Sequence, residues 1–145
     1  MTLLDSMAAL TVMTIVGTMA APLTGRFVSA FRLRAAAWSL ASDLQHARER
    51  AITENRSQRL TLSTTNVDPG NGSPRAYVIA PVATGTPAET REMPSGVYSS
   101  SPAGSYVEFN SRGLAAGAIV FSLADAFGTH TEVRVRSTGR IDFPT

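Results

Sequence analysis

The residue whose setting carries the most chemistry is Asp5. It stands directly before Ser6–Gly25 (SMAALTVMTIVGTMAAPLTG), a run with no charged side chain. A carboxylate beside so apolar a stretch is costly unless a cation or a set of donors meets it. Its chemistry is therefore ion pairing with something outside the run. A second use is capping of a helix N-terminus, worth about 1 kcal/mol. The other reactive groups are scattered. There is no cysteine, hence no disulfide, thiolate or cysteine metal site. All 13 basic residues are arginine, so there is no lysine nucleophile. His46 and His130 have no third ligand at metal spacing. No serine lies in a Gly-x-Ser-x-Gly elbow, and no glycine-rich segment follows a strand to open a helix. The expectation is no enzyme, no catalytic residue, no metal and no cofactor. Arg134, Arg136 and Arg140 could form a small basic edge, enough for a modest, salt-sensitive phosphate contact.

The elements that must hold these groups begin with the apolar run. Twenty such residues are long enough to cross a bilayer as a helix. A secretory signal peptide would carry a basic segment ahead of a shorter apolar core, and nothing basic precedes this run. An ordinary transmembrane anchor is the alternative reading. Beyond the run, Leu33, Ala37, Leu40, Ala41, Leu44, Ala47 and Ala51 recur at three- and four-residue spacing, as one face of an amphipathic helix. Arg32, Asp43, His46, Glu49, Arg50 and Glu54 fall largely off that stripe. One helix is predicted from Thr2 to about Glu54, with Asn55 near its end, ~80 Å long. Its weak points are Gly17, Pro22 and Gly25. Pro22 lacks an amide hydrogen and clashes with the carbonyl of Thr18, so the helix is expected to kink or unwind between Gly17 and Gly25. A simple proline bend is the alternative.

The chain divides into residues 1–25, an apolar transmembrane or assembly half-helix, residues 26–55, an amphipathic half-helix, and residues 56–145, a β-rich head. Strands are predicted at 58–63, 75–81, 106–109, 118–123, 132–135 and 141–143, with a short one at 89–93 inside a loop-rich stretch, 84–102. The first two should form a hairpin. Residues 1–59 carry seven arginines against four acids; residues 60–145 carry six against seven. The basic excess is thus on the helix. A strong nucleic-acid binder shows a denser patch.

Two sets of residues resemble a known family. Thr2-Leu3-Leu4-Asp5, the apolar helix and Pro22 resemble the mature N-terminus of type IV pilins and pseudopilins, which usually begin Phe-Thr-Leu-Ile-Glu. Met1 replaces Phe, Asp5 replaces Glu, and Ser6 stands where an apolar residue is usual. Farther on come Asp43-Leu44-x-x-Ala47-Arg48-x-x-Ala51, Val107-x-Phe109-Asn110-x-x-Gly113, Ile119-x-Phe121 and Ser137-x-Gly139-Arg140-Ile141. These resemble the GspH/FimT-type pseudopilins.

The resemblance implies an α+β fold, a long N-terminal helix packed on a head of two small antiparallel sheets. It implies a structural subunit of a type IV pilus-like or pseudopilus filament. Such a subunit polymerises through its N-terminal helix after a peptidase has freed, and commonly methylated, the first residue. The chain as it stands would be the mature form. Asp5 would then meet the Met1 amine of a neighbour, offsetting two desolvation costs and setting register. The expected partners are further copies in a helical homopolymer, against the family's usual minor role, together with other pilins and the inner-membrane assembly platform that the resemblance implies. The implied location is the bacterial inner membrane, then the cell surface or a periplasmic pseudopilus. The alternatives are a minor GspH-like tip component of type II secretion and a DNA-binding minor pilin. For the last, the family's Gly-Arg-x-Arg motif is Gly139-Arg140-Ile141-Asp142 here. The acid repels phosphate, which argues against nucleic acid as a partner.

Overall fold

The computed structural model describes residues 3–82 and 88–143, and within the helix it leaves the side chains of residues 3–6, 8, 9 and 15–24 outside the description. A single helix, α1 (Leu3–Thr53), is followed by eight strands. These are β1 (Gln58–Leu62), β2 (Ala76–Pro81), β3 (Glu89–Glu92), β4 (Val97–Ser99), β5 (Tyr106–Phe109), β6 (Ile119–Asp125), β7 (His130–Val135) and β8 (Ile141–Asp142). The backbone of α1 is helical without interruption through Gly17, Pro22 and Gly25. The helix ends where its stripe ends. Asn55 takes the left-handed conformation, φ 49°, and the amides of Asn55 and Arg56 reach back to the carbonyls of Ile52 and Ala51. That is the Schellman closure, in which asparagine can replace glycine.

The strands form two four-stranded antiparallel sheets, ordered β3-β2-β1-β5 and β4-β6-β7-β8. β1 and β2 are the expected hairpin, with Leu60 opposite Ile79. All seven residues of the expected helical stripe are buried, together with Ala36. They pack on both sheets, against Leu60, Leu62, Val107 and Phe109 of the first and Phe121, Leu123, Val133 and Val135 of the second. The alternation of these strands fixes which side faces the helix. Each fully buried leucine or phenylalanine contributes about 1.5–3 kcal/mol, and the alanines between let the sheets approach the helix closely. The fold is α+β.

One strand was not anticipated. β4 lies inside the stretch predicted to be mostly loop, between Gly96 and Ser100. Three residues are too few to show alternation, and Pro94, Gly96 and Pro102 around them read as turn. Pairing with β6, through Val97 opposite Asp125, makes the strand. The same pairing carries β6 two residues past its expected end at Leu123.

Candidate assembly interface

The helix has two faces of different fate. From Leu33 onward one side is sealed by the head. Nearer the N-terminus, Met7, Leu10, Val12 and Met13 are open, Met13 to 79 %. Large apolar side chains left uncovered in a contiguous stretch mark a contact with something else. Met1 lies outside the described residues, and so do the side chains of Asp5 and Pro22. The span predicted over Ser6–Gly25 falls largely on residues of that kind. Among the described residues no helix is long and apolar enough to cross a membrane.

Among the described residues, three part-buried polar contacts fasten the head to the other half of α1, beside the exposed pair Arg50–Glu89 at 2.7 Å. At the low end, Asp125 is 1 % exposed at the close of β6. Its carboxylate accepts from the Ser29 hydroxyl (2.8 Å) and from the backbone N–H groups of Phe127 (2.9 Å) and Thr129 (2.8 Å). Burial pushes this carboxyl up, but the hydrogen bonds from Ser29, Thr129 and Phe127 outweigh it and hold it below the usual range. In the middle, the buried Tyr77 hydroxyl donates to Asp43 Oδ2 at 2.6 Å. Burial and that carboxylate together push the phenol well above its ordinary value.

At the top, Arg48 Nε donates to the Gly113 carbonyl at 3.0 Å. Gly113 and Gly139 both have positive φ, 75° and 77°. A methyl group on Gly139 would sit 1.9 Å from the Gly113 oxygen, and one on Gly113 would sit 2.7 Å from Ile52. The two turns therefore touch backbone to backbone beneath Arg48, and only glycine fits. This is the physical content of the two glycine motifs.

The predicted basic edge is not a free cationic surface. Arg134 pairs with Glu132 at 2.8 Å, Arg136 with Asp142 at 2.9 Å, and Arg140 with the other oxygen of Asp142 at 3.1 Å. The hydrogen bond from Arg136 leads the causes that hold the Asp142 carboxyl low. The acid that replaces the second motif arginine thus pairs with both Arg136 and Arg140 and lowers the charge of the edge. His46 lies 3.8 Å from Glu49 on the open face of the helix, and His130 is exposed at the start of β7. No group of three potential metal ligands occurs among the described residues.

Comparison with known proteins agrees with this architecture. The family described as "Type II transport protein GspH" matches residues 36–139. The type IV minor pilin FimU of Pseudomonas aeruginosa superposes with a TM-score of 0.62 at 20 % identity, over 81 % of this chain and 91 % of FimU. The minor pseudopilin EpsH of the Vibrio cholerae type 2 secretion system superposes with a TM-score of 0.59 at 12 % identity, over 77 % of this chain and 95 % of EpsH. At these identities the likeness is one of fold. No curated protein matches this chain in sequence.

Proposed function

The chain belongs to the GspH family of type II transport proteins, and from that premise we propose that it is a filament subunit of the type IV pilus or type II secretion pseudopilus class. The observation that carries this is the open N-terminal stretch of α1. Met7, Leu10, Val12 and Met13 belong to a helix whose other half packs on the head, so their burial must come from outside this chain, from lipid before assembly and from other chains in the filament. Two of the structural neighbours are a minor pilin and a minor pseudopilin. That supports a minor place in a filament built with other pilins over the homopolymer expected from the sequence. The apolar half-helix resides in the inner membrane before assembly and leaves it through the assembly platform. Asp5 meets the N-terminal amine of an adjacent subunit, and the segment Gly17–Gly25 with Pro22 bends or unwinds on entering the filament.

The test is Asp5→Ala in the assembling cell. The variant should lose most of its incorporation into sheared filaments, read by immunoblot and by cryo-electron microscopy, while its head keeps the wild-type melting temperature. Normal incorporation would sink the pairing. A filament made of this chain alone would sink the minor placement. The DNA-binding alternative draws no support from the β7–β8 edge, whose three arginines are all paired with carboxylates.

A further inference from the structure

The arginines of this chain fall into two groups. Eight of the thirteen, including all three on the β7–β8 edge, have a carboxylate oxygen within 3.6 Å. The other five, Arg26, Arg32, Arg34, Arg48 and Arg112, have no such partner among the described residues; Arg48 donates instead to the Gly113 carbonyl, Arg112 lies in the turn before Gly113, and the remaining three cluster on the helix. Arg32 reaches only the Ser95 carbonyl, at 3.5 Å. No acid lies near them in sequence either, since residues 6–42 contain no Asp or Glu. Three unpaired cations therefore follow directly on the uncharged run.

Their arrangement is a ring. At about 100° per residue, positions 26, 32 and 34 point to three different sides of the helix. Along the axis they span about 12 Å, eight residues at 1.5 Å each. Exposed aromatic side chains stand at the same level. Phe27 and Phe31 are 75 % and 74 % exposed on one side of the helix. Phe127, at the tip of the β6–β7 turn, is 59 % exposed on another. Its ring lies 3.9 Å from where a Cβ on Gly25 would be. Positions 25 and 27 are about 160° apart around the helix, so the aromatics also encircle it. The Phe127 turn is rigid, because Asp125 holds both the turn and Ser29. A groove of about 370 Å³ opens between turn and helix, with Arg32, Ser95, Gly96 and Phe127 on its walls.

A partner docking on one side of the helix would need one charged face. A plane pierced by the helix would meet a ring. Arginines whose stems reach from the end of an apolar run suit a membrane–water boundary, and exposed phenylalanines beside them can enter its apolar edge. The headgroup layer is roughly 5–8 Å thick on each side of the hydrocarbon. Arginine stems extend far enough to bring the whole ring to it. We propose that this collar, Arg26, Phe27, Phe31, Arg32, Arg34 and Phe127, seats the base of the head on an anionic phospholipid surface, with the arginines on lipid phosphates and Phe127 inserted among the headgroups. The seat holds the head at a fixed height before assembly, and leaving it is a step the chain must take to enter a filament. The inference rests on Ser6–Gly25 crossing the bilayer.

The experiment uses the full chain reconstituted into vesicles of phosphatidylcholine, with and without phosphatidylglycerol. The single tryptophan, Trp38, is replaced in a Trp38→Phe/Phe127→Trp reporter, and the quencher is phosphatidylcholine spin-labelled on its headgroup. The indole should be quenched, more strongly with phosphatidylglycerol present. High salt and the added Arg26→Gln/Arg32→Gln/Arg34→Gln substitutions should both remove that gain. A chain that floats with the vesicles but shows no quenching, or quenching indifferent to lipid charge and to the arginines, overturns the collar and assigns those cations to a protein partner. A chain that fails to float overturns the membrane span and the collar with it. Neither result bears on incorporation of the Asp5→Ala variant, so the filament reading is tested separately.

Discussion

Truncating Asp125 should undock the low end of the head from the helix. The carboxylate is 1 % exposed and accepts three hydrogen bonds, from Ser29 Oγ, Phe127 N and Thr129 N. Hydrogen bonds to a charged group are worth about 1.5–3 kcal/mol each, and a buried donor left without its acceptor costs about 1–3 kcal/mol. Phe127 and Thr129 lie in an exposed turn, so water can take their N–H groups once the carboxylate is gone. The net loss for Asp125→Ala is then about 3–4 kcal/mol, against a total of only about 5–15 kcal/mol. For a domain of this size that lowers the melting temperature by roughly 10 °C. Asp125→Asn keeps one oxygen for both backbone donors, and the Ser29 hydroxyl can turn to accept from the new amide, so it should cost about 1 kcal/mol.

The assay is thermal unfolding of the full chain in mild detergent, read by Trp38 fluorescence. Trp38 rests on Phe143 near the C-terminus, ring centroids 4.8 Å apart, and so reports separation of helix and head. The pH arm has a definite sign. The folded carboxyl lies below its unfolded value, so its contribution is complete above about pH 4 and is lost as pH falls through the lower, folded value. In Asp125→Asn that acid limb should flatten. A loss below about 1 kcal/mol for Asp125→Ala, or equal losses for Ala and Asn, would refute the acceptor argument.

Two further outcomes follow from the other contacts. Gly139→Ala places a methyl group 1.9 Å from the Gly113 oxygen on a residue at φ 77°, and should cost about 3 kcal/mol or more in thermal unfolding; a melting temperature within a few degrees of wild type would mean that the two turns do not touch. Tyr77→Phe should cost about 1 kcal/mol by stripping Asp43 of its donor. The raised phenol also means that stability present below about pH 10 is lost above it, and this alkaline limb, followed by phenolate absorbance, should be missing in the variant.

How much of this was legible depended on the range of the signal. The helix was, because Leu33 to Ala51 repeat the helical period over five turns and Asn55 ends it with its own backbone preference. The β1–β2 hairpin and the two glycine turns were, because each is local. The contacts that join distant parts were not. Ser29 and Asp125 are 96 residues apart, and nothing in either neighbourhood points to the other. Gly113 and Gly139 stood out as motif residues, but that the Gly113 carbonyl leaves no room for a side chain on Gly139 is visible only once their turns meet. The arginines show the same limit. Arg134, Arg136 and Arg140 read as one basic edge in a linear count. A signal was nonetheless present, since Glu132 is two residues from Arg134 on the same strand face and the Gly-Arg turn brings Asp142 back opposite Arg134, within reach of Arg136.

The three fastenings fall at Ser29, Asp43 and Arg48, spread over about 28 Å of helix at 1.5 Å per residue. Three separated points, with an apolar stripe between them, leave the head no freedom to rotate or slide on its half of α1. The large apolar side chains described before Gly25, Met7, Leu10, Val12 and Met13, are all exposed. One continuous helix thus joins a half whose geometry is over-determined within the chain to a half whose burial depends on its surroundings. That division is what a subunit needs if it is to exchange lipid for neighbouring helices. The head must not unfold while its stem changes solvent, and the stem must not be committed to the head. It also explains why Pro22 and two glycines can be tolerated in the stem. Their cost falls on the half that carries none of the three fastenings.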